Sequence, residues 1–154
     1  MRKADFNAEE WSTIAAGPPM AGLRVMAAER GGTLRESFSM AKVYAKARER
    51  EGESELLDEL VRSHPEVERI QARTQEELAH RAMDRLREAI ELIDRKAPPP
   101  EADAYKHFVQ DVAEEVAHAH KEGGFLGIGG TPVSESEQRA IDEITRLLGF
   151  GTAA

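Results

Sequence analysis

Apolar residues recur at three- and four-residue spacing along almost the whole chain, and this periodicity constrains the fold more than any other feature. One stripe of this kind contains Leu78, Ala82, Leu86, Ala89 and Ile93, which fall on a single helical face. Val and Ile never alternate with polar residues over a run that predicts a half-buried strand. We therefore predict an all-α protein, an irregular helical bundle of about six helices around a four-helix core.

The length and composition predict a single domain, residues 1–154. A chain of 154 residues buries roughly 68–70% of the surface of its unfolded form, so its core needs no disulfide or metal. It contains no Cys, which excludes disulfides, thiolate nucleophiles and cysteine zinc sites. The net charge of −8 would repel a phosphate backbone, so we expect no nucleic-acid partner. No run approaches the roughly 18 apolar residues of a transmembrane segment, and the N-terminus turns acidic where a secretory signal would be apolar, so we expect a cytoplasmic protein.

The first helix has a strong start signal. Asn7 and Glu10 have the spacing of a capping box, in which each residue's side chain bonds the other's backbone amide. Phe6 and Trp11 occupy the flanking positions of a hydrophobic staple. We therefore expect the aromatic residues near this terminus to have a structural role.

Residues 1–32 are predicted to form a helical corner. The first helix is expected to end at the Gly-Pro-Pro sequence of residues 17–19, because proline has no amide hydrogen to donate inside a helix. A second, short helix through Met20, Leu23 and Met26 then reaches the glycine pair at residues 31–32.

Residues 33–122 are predicted to contain the core helices. Thr33 and Glu36 form a second capping box, which opens a helix to about Arg50. Its apolar arc covers more than half of the circumference, so we expect it to be the central helix. Gly52 breaks the chain, and a short helix carrying Leu56, Leu57, Leu60 and Val61 follows.

The longest helix is predicted from Pro65 to about Lys96, roughly 48 Å at 1.5 Å per residue. Its first half has few large apolar residues and is expected to overhang the bundle. The three prolines at residues 98–100 form a stiff turn, after which a helix carrying Tyr105 and Phe108 should fold back antiparallel. These two helices would form half of the bundle.

Residues 123–133 form a Gly-rich apolar connection, and residues 134–149 form the C-terminal helix. Ser134 and Glu137 supply a third capping box for that helix, which Gly149 ends. The connection contains three apolar side chains, which either cover the end of the core or dock onto a partner or a membrane surface: Phe125, Leu126 and Ile128. A third interpretation, anion binding by glycine amides before a helix, lacks the Lys of a phosphate loop.

Two Glu-x-x-His motifs suggest a carboxylate and histidine metal site: Glu77 with His80, and Glu115 with His118. This spacing places both side chains of a motif on one helix face, as in di-metal helical bundles. On a helical wheel, however, Glu77 and His80 fall near about 280° and 220°, whereas the apolar stripe of their helix centres near about 60°. These ligands therefore point away from the core and could converge on a divalent metal ion only between subunits.

Other catalytic patterns are weak. His107, His118 and His120 form a histidine cluster, but residues two apart point to different sides of a helix and do not readily share an ion. The sequence has no Gly-x-Ser-x-Gly elbow, and no hydroxyl has an identifiable base and orienting residue. We therefore favour a protein that is not an enzyme.

The C-terminal stretch EEVAHAHKEGGFLGIGGTPVSESEQRAIDEITRLLG resembles a pattern of small uncharacterised bacterial all-helical proteins. About a fifth of the chain is also similar to the tellurite-resistance TerB-like helical domain, in which an acidic turn leads into a Ser/Glu-capped helix that ends in Leu-Gly. Here the apolar GGFLGIGG replaces that acidic turn. The resemblance implies helical architecture and a bacterial cytoplasmic origin, and it transfers no functional residue.

Two functional hypotheses follow. The first is a non-enzymatic helical-bundle protein that forms a homo-oligomer or docks onto another protein, through the overhanging half of the long helix or through Phe125, Leu126 and Ile128. The alternative is a metal-binding bundle in which subunit symmetry brings together the two Glu-x-x-His motifs.

Overall fold

The computed structural model describes residues 1–28, 34–63, 65, 70–122 and 134–150, with the side chains of 34–39 and 120–122 left out. These residues form one turn of 3-10 helix, Lys3–Asp5, and six α-helices, and they contain no strand. The α-helices are α1 Ala8–Met26, α2 Leu34–Glu49, α3 Glu55–Leu60, α4 Gln75–Lys96, α5 Pro99–Glu122 and α6 Glu135–Leu147. The predicted all-α bundle is confirmed. None of the helices in the described ranges is long and apolar enough to cross a bilayer.

The bundle is built around α5, which packs against each of the other five α-helices. Most buried side chains come from α1, α4 and α5, and smaller numbers come from α2 and α6. The prediction that α2 is the central helix is therefore wrong. The buried residues of α2 include Met40, Val43 and Tyr44, whereas Ala45 is exposed.

Helix α1 begins as predicted. The Asn7 side chain accepts a hydrogen bond from the Glu10 amide at 2.8 Å, and the Asn7 amide donates to the Glu10 carboxylate at 3.0 Å. The rings of Phe6 and Trp11 lie 6.0 Å apart, and Phe6 is buried. Both the capping box and the staple are therefore confirmed, and they fix the direction in which α1 enters the core.

Helix α1 does not end at residues 17–19 but continues through Pro18 and Pro19 to Met26. Proline at position 18 leaves the Ile14 carbonyl without its helical donor, and the buried Tyr105 hydroxyl of α5 donates to that carbonyl at 2.7 Å. At Gly17 a Cβ would overlap the Tyr105 hydroxyl, so glycine provides the space that the tyrosine occupies. The sequence-based break is wrong because a contact from α5 satisfies the carbonyl that proline orphans.

Within the predicted corner, the single helix α1, Ala8–Met26, therefore replaces the two helices that were expected. Met20 and Leu23, assigned to a second short helix, lie within α1 and are buried. The glycine pair at 31–32 lies outside the described residues, and so does the capping box of Thr33 with Glu36.

Helix α4 begins at Gln75, ten residues later than the predicted start at Pro65. Thr74 is its N-cap and accepts from the Glu77 amide at 3.0 Å, while the Glu77 carboxylate accepts from the Arg73 amide at 3.0 Å. The helix has 22 residues, about 33 Å. No overhanging helical half exists at residues 70–74, and Ile70 is partly buried against the core. The predicted helical overhang therefore does not include residues 70–74, and residues 66–69 lie outside the described residues.

Ala97 and Pro98 connect α4 to α5, whereas Pro99 and Pro100, which were expected in the turn, begin α5. The turn is therefore shorter than predicted, because proline is tolerated in the first turn of a helix. Asp94 and Lys106 form an ion pair at 2.7 Å across this turn. Beyond the turn, α4 and α5 contact each other far less than either contacts α1. The predicted half-bundle of two adjacent helices is replaced by an arrangement in which the N-terminal helix packs on both.

The C-terminal helix α6 has the predicted boundaries. Ser134 and Glu137 exchange the two hydrogen bonds of a capping box, both at 3.1 Å. Gly149 has φ of +82°, and the amides of Gly149 and Phe150 donate to the carbonyls of Arg146 and Thr145 at 3.0 Å. These bonds are those of a Schellman motif, which satisfies the last carbonyls of the helix.

Candidate functional site

A groove of about 550 Å³ runs between α2, α3 and α5. Its apolar floor consists of the buried residues Val43 and Phe108 and the partly buried residues Ala47, Leu57 and Ala104. The volume lies in the range of natural binding clefts, which combine an apolar lining with a few polar groups. We refer to it as the α2–α5 groove.

The α5 wall of the groove is acidic. Asp111, Glu114, Glu115 and His118 occupy positions i, i+3, i+4 and i+7, which place them on one face of the helix. His107 lies one turn before Asp111 and lines the same wall. The acidic face therefore extends along the groove.

The opposite wall carries the positive charges of α2. Lys46 and Arg50 are four residues apart, both line the groove, and both are exposed. Lys42, one turn earlier on α2, reaches across to the Glu115 carboxylate at 3.6 Å. The apolar floor therefore lies between a basic helix face and an acidic one.

The end of the groove at α3 is held by buried polar contacts. The Ser54 hydroxyl donates to the Glu101 carboxylate at 2.7 Å and accepts from the Leu57 amide at 3.2 Å. The same Glu101 oxygen accepts from the Leu56 amide at 3.1 Å, so α5 binds the first turn of α3 directly. These bonds fix Leu57 at the floor of the groove.

A second set of contacts fixes the loop between α2 and α3. Gly52 has φ of +103°, a conformation that L side chains rarely adopt, and its amide donates to the Asp58 carboxylate at 3.0 Å. The Arg48 side chain, near the end of α2, donates to the Val61 carbonyl at the end of α3 at 2.5 Å. The three walls of the groove are therefore positioned by bonds that do not depend on an occupant.

Several charged groups of the groove are paired within the protein. Arg50 bonds Glu53 at 2.8 Å, and the Gln110 amide donates to Glu114 at 3.0 Å. Asp111 and Lys46 form no hydrogen bond or ion pair with another residue that the structure describes. The groove therefore presents an unpaired carboxylate on one wall and an unpaired ammonium on the other.

The carboxyl of Asp111 has a raised pKa. Loss of hydration in the groove is the main cause, and the nearby charge of Glu114 adds to it. Arg50 and His107 act in the opposite direction without cancelling the effect. A cation placed beside Asp111 would favour its ionised form, so this position in the groove favours positive charge.

The His107 ring is hydrogen-bonded to the backbone of its own helix through Nδ1. Its Nδ1 lies 2.8 Å from the Asp103 carbonyl, which can only accept, so Nδ1 carries a hydrogen. The ring also lies 4.5 Å from the ring of Phe150, just beyond α6. This contact joins the C-terminal end of residues 134–150 to α5.

The two Glu-x-x-His motifs lie in different parts of the fold. Glu115 and His118 line the groove, whereas Glu77 and His80 lie near the start of α4 and do not line it. The described residues contain no group of three or more His, Asp or Glu side chains arranged to hold a metal. The structure therefore does not bring the four predicted ligands together within one chain, and a site between subunits stays a prediction.

The outward orientation of the first motif agrees with the helical wheel. His80 is 78% exposed and lies 3.5 Å from Asp84. Glu77 bonds Arg81 at 2.7 Å in addition to the Arg73 amide. These contacts lower the pKa of Glu77, with the backbone bond as the largest cause. Glu77 thus has a capping role in the structure.

The other sequence-based candidates fall mainly outside the described residues. This holds for the docking residues Phe125, Leu126 and Ile128 and for the His120 side chain. Their predicted roles stay predictions. The hydroxyl of Ser134, which follows the Gly-rich connection, caps α6.

Sequence analysis missed the groove. The acidic face of α5 was visible as the spacing of Asp111, Glu114, Glu115 and His118. The basic wall and the apolar floor were not, because they depend on how α2 and α3 pack against α5, which no local pattern specifies.

Comparison of the chain with protein-family models, with curated proteins and with solved structures gives no match. The similarity of the C-terminal stretch to the TerB-like domain therefore stays a prediction. Functional assignment relies on the chemistry of the α2–α5 groove.

Proposed function

We propose that this protein is a non-enzymatic binding protein that docks a segment of another protein in the α2–α5 groove. The observation that supports this most directly is the groove itself, an apolar floor bordered by unpaired charges on preformed helices. We propose a cytoplasmic setting for this docking, as the composition predicts. The role is narrower than the docking expected from the sequence, because the described residues 70–74 do not form the predicted helical overhang.

The distribution of titratable groups supports binding over catalysis. His107 and His118 are eleven residues apart on α5, about 16 Å along the helix axis, so they cannot act on one reacting atom. The Nδ1 of His107 bonds a backbone carbonyl of its own helix and not a carboxylate. A general base needs a substrate proton within hydrogen-bond reach and an orienting partner, and an open groove with dispersed charges favours recognition instead.

The charge of the protein favours a different protein as partner over a second copy of this chain. The chain carries a net charge of −8, and the groove lining has more carboxylates than cations. Two copies would each bring negative charge to the contact, which costs association energy and slows encounter. A basic partner would instead be attracted to the acidic groove, which favours association and speeds encounter.

The test is site-specific photo-crosslinking in the native host. A photoreactive amino acid at Ala47, on the groove floor, should yield a discrete adduct, and the same residue at the exposed position Glu91 on α4 should not. The captured protein is then purified and its affinity measured by calorimetry. Ala104→Leu, which fills the groove, should weaken that affinity at least about tenfold.

Three results would overturn the proposal. They are equal crosslinking from Ala47 and Glu91, an affinity that Ala104→Leu leaves unchanged, and light scattering that shows a dimer of the chain which Ala104→Leu dissociates. Circular dichroism of the Ala104→Leu variant establishes that it remains folded, so that a loss of binding can be attributed to the groove.

A further inference from the structure

We infer that the segment bound in the α2–α5 groove is a basic amphipathic helix that places a lysine or arginine between Asp111 and Glu114. This inference rests on the proposed docking function and adds the chemistry of the partner. It follows from the shape of the groove, from its charge balance and from the position of its unpaired carboxylate.

The shape of the groove suits a helix. Its lining residues on α5 extend from Ala104 to His118, a rise of about 21 Å, or roughly four helical turns. A floor of Val43, Leu57 and Phe108 can receive apolar side chains at i, i+3, i+4 and i+7 of an incoming helix. A volume of about 550 Å³ is enough for a few such side chains while the rest of the helix stays in solvent.

The charge balance of the groove is negative once its internal ion pairs are set aside. Arg50 is paired with Glu53, and Lys42 with Glu115. Among the described lining residues, the carboxylates without an ion pair are Asp58, Asp111 and Glu114, against the single unpaired cation Lys46. A positively charged occupant would therefore neutralise the carboxylates that have no ion pair within the groove.

The acidic pair on α5 sets the position of that positive charge. Asp111 and Glu114 are three residues apart, so their side chains lie next to each other on the helix surface. The raised pKa of Asp111 reflects the lost hydration and the repulsion that a cation would offset. The aliphatic stem of a lysine or arginine can lie along the apolar floor while its charged end reaches the two carboxylates.

The test uses a capped amphipathic peptide of about 14 residues, composed of leucine, alanine and lysine, and a matched peptide with glutamate in place of lysine. Binding to the full chain is followed by fluorescence anisotropy of a labelled peptide. We expect the lysine peptide to bind and the glutamate peptide to bind at least about tenfold more weakly.

Matched protein variants separate specific recognition from general attraction to an acidic protein. Asp111→Asn with Glu114→Gln removes two negative charges from the groove, and Glu88→Gln with Glu91→Gln removes two from the α1–α4 side. The groove pair should weaken the lysine peptide at least about tenfold, while the α4 pair should change its affinity less than about twofold. Equal weakening by both pairs, or no binding of either peptide, would overturn the inference.

Ala104→Leu distinguishes failure of this inference from failure of the docking function. If the crosslinked partner is lost on Ala104→Leu but retained by the Asp111 and Glu114 variant, docking stands and the cationic anchor is refuted. If neither change affects the partner, the groove is not the docking site and both proposals fail. Tight binding of the glutamate peptide would contradict the inference, because it would show that the groove prefers a negatively charged occupant.

Discussion

Replacing Tyr105 by Phe tests how helix α1 can continue past Pro18. The substitution removes only the hydroxyl, which donates to the Ile14 carbonyl at 2.7 Å in a region where neither residue is exposed. The carbonyl has no helical donor, because position 18 is Pro. An unsatisfied buried acceptor costs about 1–3 kcal/mol, and for a chain of this length that corresponds to a fall in Tm of about 2–12 °C.

The assay is chemical and thermal unfolding followed by circular dichroism and by fluorescence of Trp11, the only Trp in the chain. Tyr44→Phe is the matched control. Tyr44 is also buried, but its hydroxyl forms no hydrogen bond with another described residue. We expect that control to change the free energy of unfolding by less than about 0.5 kcal/mol.

A double-mutant cycle with Pro18→Ala makes the explanation refutable. The substitution at position 18 restores an amide hydrogen that can donate to the Ile14 carbonyl, so Tyr105→Phe should then cost at least about 1 kcal/mol less than in the unmodified protein. Equal costs in the two backgrounds, to within about 0.5 kcal/mol, would show that the tyrosine does not substitute for the missing amide.

Three further predictions concern single sites. Thr74→Ala should reduce the free energy of unfolding, measured in urea, by about 0.5–2 kcal/mol because Thr74 caps α4. If the helix instead began at Pro65, Thr74 would lie inside it and the change to Ala would be slightly stabilising. Gly149→Ala should cost about 1–2 kcal/mol because its φ is +82°, and an unchanged unfolding midpoint would contradict this. Asp111→Asn should stabilise the protein at neutral pH, by no more than about 0.5 kcal/mol at so exposed a site. Because the pKa of Asp111 is raised, the folded state loses stability as Asp111 ionises, so the gain from Asp111→Asn should vanish as pH falls below the usual aspartate pKa. Thermal melts from acid to neutral pH measure this gain, and destabilisation by Asp111→Asn at neutral pH would contradict the prediction.

The features that were predicted correctly are those encoded within a few neighbouring residues. The capping boxes at Asn7 and Ser134 and the C-terminal glycine at Gly149 depend on hydrogen bonds that span three to five residues. The break between helices at Gly52 belongs to the same class, and the structure gives this residue a φ of +103°. Such signals determine where helices begin and end regardless of the rest of the fold.

The errors arose where a distant contact or a competing local signal decided the outcome. Pro18 favours the end of a helix in isolation, but in the fold the hydroxyl of Tyr105, 91 residues from Ile14 in sequence, satisfies the carbonyl that Pro18 leaves without a donor. The start of α4 was a different error, since Thr74 and Glu77 have capping-box spacing, whereas the predicted start relied on Pro65 and on the absence of a helix breaker between Pro65 and Lys96.

The candidate site was predictable only in part. The spacing of Asp111 and Glu114 on one helix face follows from the sequence alone. Their separation from Lys46 by an apolar floor follows from the packing of α2 on α5, which depends on tertiary contacts between helices.

The position of α1 between two later helices affects how the chain folds during translation. Its long buried segment, which includes Met20 and Val25, is covered by α4 and α5, and α5 ends at Glu122. About 100 further residues must therefore leave the ribosome after α1, which takes roughly 5–20 s at about 5–20 residues per second. Throughout that interval the apolar surface of the nascent helix lacks its native neighbours and is open to contact with other proteins.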